Sequence, residues 1–225
     1  MKLEIYTVVE RFDPEITFSN EIMFTIFDKL CYNPIFKDWR EMQINRFNEE
    51  YDDFDYQKIV KAIKSPKKDL AIFCRAKECE LLFSRNKKFY SFSLKFTKDL
   101  LIDKVNLFQD YMIELTLYMP NFEKLTGSAG MEIIDAQKRH NLPQEKSIFM
   151  SMQWLNVLSP LGYKKYYEKE DLLSAPFYDV REIAPDIVFI QAYKDPFNVD
   201  NEESLNYLRN GINHLNKNLL FFKYK

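Results

Sequence analysis

Residues 70–96, LAIFCRAKECELLFSRNKKFYSFSLKF, decide the fold class. Three β-like runs follow one another here, at Leu70–Arg75, Cys79–Ser84 and Phe89–Phe96, and the last alternates large apolar side chains with serine or lysine. The short polar connection at residues 85–88, RNKK, suits a hairpin turn. The stretch therefore predicts an antiparallel meander with one face on a core and the other face in water.

Amphipathic helices are predicted on both sides of this meander. Apolar side chains recur every three or four residues in segments that predict helices at about 19–31, 56–64, 97–120 and 201–222. Thr97 is predicted to cap the third helix, and Asp200-x-x-Glu203 resembles a capping box that opens the fourth. Gly211 lies inside the fourth helix, which indicates either close packing against another element or a tolerated defect.

The remaining periodic segments complete an α+β pattern. Further strands are predicted at Lys2–Glu10, Met131–Asp135, Ser147–Val157, Val180–Ile183 and Ile187–Tyr193, with a helix at Tyr163–Leu173. Helices between groups of hairpin-like strands favour a mainly antiparallel sheet with amphipathic helices packed on it. Because no linker divides the chain, we predict one α+β domain over residues 1–225. Its internal seam is expected near 120–127, and the element order is compatible with two similar halves.

The composition excludes several classes of protein. The chain has 225 residues, with 32 Lys+Arg against 34 Asp+Glu, 46% hydrophobic residues and only four glycines. A chain this apolar and nearly neutral can bury a core, which excludes wholesale disorder. Four glycines leave no room for a glycine-rich phosphate-binding loop, and the charge balance gives no general attraction to nucleic acid.

Cysteines and hydropathy indicate where the protein works. The first ten residues, MKLEIYTVVE, have no long apolar segment, and no apolar run reaches the roughly 18 residues that a membrane span requires. The cysteines at 31, 74 and 79 have no metal-ligand spacing and are predicted to be free buried thiols. We therefore expect a cytoplasmic protein with no metal, no cofactor and no membrane or nucleic-acid partner.

Catalytic signatures are absent from the sequence. His140 lies in a polar stretch and His214 beside an apolar stripe, and both are predicted to be structural. Two groups of carboxylates keep a carboxylate-dependent hydrolase or transferase open as an alternative: Glu168, Glu170 and Asp171, and Asp200, Glu202 and Glu203. Acidic residues at the start of a helix also stabilise its dipole, so we do not predict an enzyme.

An acidic and aromatic stretch precedes a lysine-rich one. Residues 49–56, EEYDDFDY, contain no basic side chain, and lysines dominate residues 58–68. One interpretation is a solvated segment in which the two charge blocks support each other. The other is a docking surface for a basic partner. Under the second, we predict partner-binding side chains at Trp39, Tyr51, Asp52, Asp53 and Asp55.

Three blocks of the C-terminal half resemble known proteins. Gly127–Glu132 reads GSAGME, Met152–Leu158 reads MQWLNVL, and Ile187–Pro196 is followed by a helix from about Asn201. In this order they resemble the type VI secretion immunity-protein family and related polymorphic-toxin immunity proteins. The resemblance implies a binding protein without catalytic residues, which sits in the toxin-producing cell and blocks a cognate toxin or effector by direct contact.

The predicted function follows from this resemblance. We expect an immunity or inhibitor protein that binds and neutralises a cognate bacterial toxin. The alternatives are the carboxylate-dependent enzyme and a structural or adaptor module. The sequence leaves the toxin and the oligomeric state open.

Overall fold

The computed structural model divides the chain into two compact units, Met1–Pro120 and Asn121–Lys225. It describes residues 2–3, 20–32, 38–45, 51–65, 69–85, 90–102, 104–118, 122, 124–127, 132–147 and 152–220. The boundary lies at the start of the stretch where the sequence placed an internal seam. The assignment of a single domain stays a prediction.

Unit 1 contains a six-stranded antiparallel sheet. Its strands are β1 (Lys2–Leu3), β2 (Glu41–Ile44), β3 (Asp52–Asp53), β4 (Leu70–Arg75), β5 (Cys79–Arg85) and β6 (Tyr90–Thr97). They lie in the order β1-β6-β5-β4-β2-β3. The predicted meander is confirmed as β4–β6. Of the strand predicted at Lys2–Glu10, only β1 falls within the described residues.

Alternating side chains give this sheet one buried face. Ile72 and Cys74 of β4, Leu81 and Phe83 of β5, and Leu94 and Phe96 of β6 are buried. Four helices belong to the described part of unit 1: α1 (Asn20–Cys31), α2 (Tyr56–Lys64), α3 (Lys98–Leu101) and α4 (Val105–Leu117). Phe27 of α1 meets the ring of Phe83 edge-on, and Phe108 of α4 does the same to Phe96. The core of unit 1 therefore includes the space between one sheet face and helices α1 and α4.

The single helix predicted over 97–120 is wrong, because two helices, α3 and α4, occupy this stretch. β6 continues through Thr97, which pairs with Lys2, and α3 follows at once. α4 begins after Lys104, which provides no side-chain cap. Of the predicted apolar positions that lie on α4, Phe108, Met112 and Leu115 are nevertheless buried, and Val105 is half-buried. Periodicity thus identified the core-facing residues, although it did not show where the helical hydrogen bonding is interrupted.

Unit 2 contains a four-stranded antiparallel sheet. Its strands are β7 (Lys124–Gly127), β8 (Leu155–Leu158), β9 (Asp179–Ala184) and β10 (Ile187–Gln191), in the order β7-β8-β10-β9. The described helices are α5 (Glu132–Arg139), α6 (Pro160–Tyr163), α7 (Lys169–Leu173) and α8 (Glu202–Asn218). Every residue of β8 is buried, as is most of β10. The α+β class predicted from the sequence is confirmed.

Three predicted elements of unit 2 differ from the structure in whole or in part. The strand predicted at Met131–Asp135 is wrong from Glu132 onward, because helix α5 begins there, and Met131 lies outside the described residues. The strand in this region is β7. Of the strand predicted at Ser147–Val157, β8 (Leu155–Leu158) contains the last three residues, and residues 152–154 are not in a strand. Residues 148–151 of this prediction lie outside the described part of the chain. The helix predicted at Tyr163–Leu173 is divided into α6 and α7 by a turn. In α5 the helix-forming residues Ala136, Gln137 and Lys138 outweigh the β-branched pair that precedes them.

The start and the interior of α8 each have a clear physical cause. Asn201, not Asp200, caps the helix, because its Oδ1 accepts a hydrogen bond from the Ser204 amide at 2.8 Å. Gly211 packs against Phe177, and a Cβ on Gly211 would lie 2.1 Å from a ring carbon. Close packing is therefore the reason for this glycine, which the sequence had left open.

All three cysteines are free and buried, as predicted. Burial raises the pKa of the Cys79 thiol to about 12 and raises that of Cys31 further. Because all three thiols are buried and the thiolate is the reactive form, we expect iodoacetamide to be excluded from all three in the folded protein and to alkylate all three in urea. Intact-mass spectrometry would count the adducts. An adduct formed before unfolding would show that this part of the core opens.

Candidate functional site

The five residues predicted to bind a partner lie on two segments of unit 1 that the sheet brings together. Trp39 comes just before β2, and the others are in or beside β3: Tyr51, Asp52, Asp53 and Asp55. β2 and β3 pair at the end of the six-stranded sheet, with Glu41 opposite Asp53. The structure therefore groups the five residues at one sheet edge. Their role in binding stays a prediction.

Trp39 has a role in the packing of unit 1. The side chain is half-buried, and its Nε1 donates a hydrogen bond to the carbonyl oxygen of Cys31, 3.0 Å away. Cys31 ends α1, and the last carbonyls of a helix have no partner within the helix. The bond from Trp39 therefore satisfies one end group of α1.

Tyr51 packs on the sheet rather than standing free. Its ring lies 5.7 Å from that of Phe73, and the guanidinium of Arg75 stacks 4.1 Å from its centroid. Arg75 Nη2 also donates a hydrogen bond to the Tyr51 hydroxyl at 2.8 Å. The carboxylates of Glu80 and Glu41 lie 3.4 and 3.7 Å from the same guanidinium. Arg75 is therefore held between aromatic rings and carboxylates.

Asp55 is the N-cap of α2. Its Oδ1 accepts hydrogen bonds from the amides of Gln57 at 2.9 Å and Lys58 at 3.2 Å. These amides belong to the first turn, where a helix has no internal acceptors. An aspartate directly before the predicted helix was a usable sign of this role.

We expect Asp55→Ala to lower the free energy of unfolding by about 1 kcal/mol, because two amides of α2 lose their acceptor. Urea denaturation followed by circular dichroism would measure the change. Asp53→Ala is the matched control, since Asp53 is exposed and faces the like charge of Glu41 across the strand pair. Equal stability of the two variants would contradict the capping role.

Asp52 and Asp53 are exposed, as the docking interpretation requires. Asp52 also lines a cleft of about 510 Å³ between α2 and β2, together with Lys58 and Lys61. The acidic and lysine-rich stretches thus meet on this side of α2. Asp52 therefore lies at the same cleft as lysines of the basic stretch, as the interpretation of mutually supporting charge blocks expects.

A cluster that the sequence did not single out lies on the opposite side of α2. It consists of Asp28, Tyr32 and Tyr56, and we refer to it as the Asp28–Tyr32–Tyr56 cluster. The Tyr56 hydroxyl donates a hydrogen bond to Asp28 Oδ1 at 2.5 Å, and the Tyr32 ring meets the Tyr56 ring edge-on at 5.3 Å. Burial and the neighbouring Asp28 raise the pKa of Tyr56 above its usual value. Tyr32 is 64% exposed.

A cleft of about 450 Å³ extends from this cluster between α1 and α2. Its walls include Phe24, Val60 and Gln57 as well as Asp28 and Tyr56. Lys64 lies at this cleft with its Nζ 5.5 Å from the centre of the Phe24 ring. The cleft therefore has apolar walls, an anionic group at Asp28 and a cationic group at Lys64.

Lys29, which lies beside the cluster on α1, forms an ion pair with a side chain of α4. Its Nζ lies 2.7 Å from Glu114 Oε1 and 5.0 Å from the centre of the Tyr118 ring. The hydrogen bond to Glu114 raises the pKa of Lys29. The Tyr111 hydroxyl fixes the same turn by donating to the Lys29 carbonyl at 3.0 Å. The positive charge next to Asp28 is therefore already paired.

The histidines of unit 2 bond to neighbouring elements. His140 Nε2 lies 3.0 Å from Asp200 Oδ1, and Arg139 Nη2 donates to both oxygens of Asp200 at 2.8 Å. Arg139, ahead of His140, holds the pKa of Asp200 below its usual range. His214 Nε2 lies 2.9 Å from the carbonyl oxygen of Asp171. These contacts agree with the structural roles predicted for both histidines.

The carboxylate groups noted in the sequence do not form a metal site in the described residues. In that part of the chain, no three His, Cys, Asp or Glu side chains are arranged to hold a metal ion. Across the same described ranges, no helix has the length and apolarity needed to cross a bilayer.

Comparison with known proteins gives one informative likeness. No protein-family model matches the sequence, and no curated protein does. Among solved structures, the fold is similar to that of a Pseudomonas aeruginosa T6SS protein, where T6SS denotes the type VI secretion system. The match covers 95% of this chain and 83% of that chain, with a TM-score of 0.54 and 9% identity. At this identity the likeness concerns the fold.

Proposed function

We propose that this protein acts in type VI secretion as an immunity protein, which binds a cognate toxin in the cytoplasm and neutralises it by protein contact. The observation that carries the proposal is the likeness in fold to a T6SS protein over 95% of the chain. The three sequence blocks that resemble immunity proteins also support an immunity function, and this resemblance does not depend on the structural comparison.

The surface of unit 1 supports a role in protein binding. Tyrosine is enriched in protein interfaces, because it combines a large ring with a polar group at low entropic cost. Tyr32 and Tyr118 are 64% and 40% exposed on the α1 side of the unit. The exposed carboxylates of Asp52 and Asp53 provide charged groups elsewhere on the unit, where β3 pairs with β2 at the end of the sheet. A partner could bury aromatic area at the exposed tyrosines, and a basic partner could meet complementary charge at the exposed aspartates.

Growth rescue tests the proposal directly. The toxin is expected to be encoded beside this gene, so the two proteins are produced together in a host that the toxin alone inhibits. We expect growth to be restored, and a stable complex to co-purify. An unrelated toxin is the control and is expected to remain inhibitory. Failure both to rescue growth and to bind the neighbouring product would overturn the proposal.

A titration separates neutralisation by binding from an enzymatic activity. A binding protein inhibits the toxin in proportion to the complex formed, so inhibition of purified toxin is expected to be complete near equimolar addition. The toxin recovered from the complex is expected to keep its mass. Complete inhibition at a small fraction of the toxin concentration, with a changed toxin mass, would favour an enzyme instead.

A further inference from the structure

We infer that the Asp28–Tyr32–Tyr56 cluster receives an arginine side chain of the partner protein. The inference rests on the proposed function and deepens it, because it names the group that the toxin presents to unit 1. Asp28 and Tyr32 were not singled out in the sequence, whereas Tyr56 ends the stretch interpreted there as a docking surface, although it is not among the five residues predicted to bind a partner.

The tyrosines provide an aromatic platform for a cation. Tyr32 is 64% exposed, so much of its ring is accessible to a partner, and it meets the Tyr56 ring edge-on. A cation over a tyrosine ring is attracted by the negative face of the ring. Tyr56 is itself held by its hydrogen bond to Asp28. The platform is thus ordered before a partner arrives, which reduces the entropy lost on binding.

Asp28 supplies the negative charge beside the platform. Its side chain is exposed, and Oδ1 accepts the bond from Tyr56. Within the residues that the structure describes, Oδ2 has no hydrogen-bond donor. A guanidinium over Tyr32 could therefore donate to Oδ2 without displacing an existing bond. Hydrogen bonds between charged groups are stronger than those between neutral ones.

Arg75 shows that this combination of groups holds a guanidinium in the same protein. Arg75 stacks on Tyr51 at 4.1 Å, donates to its hydroxyl and lies 3.4 Å from the carboxylate of Glu80. An aromatic ring, a tyrosine hydroxyl and a carboxylate thus surround it. The Asp28–Tyr32–Tyr56 cluster has the same groups on an exposed surface. The planar guanidinium can stack and donate at once, so arginine fits this combination better than lysine.

The surrounding charges favour one cation at this position. Lys29 is paired with Glu114, while Lys58 and Lys61 line the cleft on the other side of α2. Lys64 lies farther along the same cleft, over Phe24. It would repel a second cation, so we expect a single arginine followed by apolar or acidic residues. The apolar walls at Phe24 and Val60 would accommodate its neighbours.

Affinity measurements with variants test the inference. The probe is the neighbouring toxin carrying an inactivating substitution, titrated by calorimetry. We expect Tyr32→Ala and Asp28→Asn each to weaken binding about tenfold, which corresponds to about 1.4 kcal/mol. Asp28→Asn removes the charge and keeps an acceptor for Tyr56, and its complex should depend less on salt. Tyr178→Ala is the control, because Tyr178 is 38% exposed and also meets another ring, that of Tyr207, edge-on.

Site-specific cross-linking identifies the group that is bound. A benzophenone amino acid placed at position 32 is expected to cross-link the toxin at a segment containing arginine, and the same amino acid at position 178 is not. Wild-type affinity of the Tyr32→Ala and Asp28→Asn variants would overturn the inference and leave the immunity function standing. The same holds for a cross-link to a segment without arginine. A wild-type protein that neither binds nor neutralises the toxin would overturn both.

Discussion

Gly211→Ala is expected to lower the free energy of unfolding by about 2 kcal/mol, although alanine is the better helix former. The intrinsic preference favours alanine by about 1 kcal/mol in a helix interior. The new methyl group would nevertheless lie 2.1 Å from a ring carbon of Phe177, which is buried. Overpacking of this kind costs about 1–3 kcal/mol, since the ring or α8 must shift. We expect packing to outweigh propensity here.

Urea denaturation of three variants distinguishes these effects. Asn210→Ala, at an exposed neighbouring position of α8, lacks the clash and is expected to leave stability unchanged or slightly raised. Combining Gly211→Ala with Phe177→Leu should recover part of the loss, because the smaller side chain makes room for the methyl group. Greater stability of Gly211→Ala than of the wild type would show that Phe177 moves aside at little cost.

Trp154→Ala is expected to have the largest effect, a loss of about 3–5 kcal/mol. Trp154 is 1% exposed and precedes the fully buried strand β8. Its Nε1 donates a hydrogen bond to the carbonyl oxygen of Tyr193 at 3.0 Å, which joins the start of β8 to the segment after β10. The substitution removes this bond and leaves a cavity among residues that cannot fill it. We expect unit 2 to be unfolded or molten at physiological temperature.

Trp154→Phe separates the cavity from the hydrogen bond. The phenyl ring fills much of the space, and the Tyr193 carbonyl still accepts from Gln191 Nε2 at 3.1 Å. We therefore expect a smaller loss than for alanine, of about 1–2 kcal/mol. Differential scanning calorimetry of the wild type and both variants would measure the two losses of stability. Equal losses for phenylalanine and alanine would assign the role of Trp154 to its hydrogen bond.

Much of the fold could be predicted where one physical signal dominates. The alternation in residues 70–96 specified a meander, because a strand with one buried face repeats every second residue. Helix α2 has the bounds that were predicted, since a capping aspartate precedes it and Ser65-Pro66 follows it. Helix α5 was mistaken for a strand, because a short apolar run that includes Ile133 and Ile134 does not distinguish the two.

Only those residues of the candidate site could be predicted whose exposure to solvent follows from the neighbouring sequence. Asp52 and Asp53 were expected on the surface because no periodicity places them in a core, and they are exposed. Asp55 was classed with them, although its position before a helix indicated a cap. The contact between Tyr32 and Tyr56 could not be predicted, because it depends on which helices become neighbours. Adjacency of elements far apart in sequence is a property of the packed fold.

The placement of the two tryptophans makes the units separately observable. Trp39 belongs to unit 1 and Trp154 to unit 2. Intrinsic fluorescence selectively excited in indole therefore arises from one group in each unit. A Trp39→Phe variant reports emission from unit 2 alone, and a Trp154→Phe variant from unit 1 alone. Stopped-flow mixing with a partner would then show which unit changes its environment first, without any attached dye.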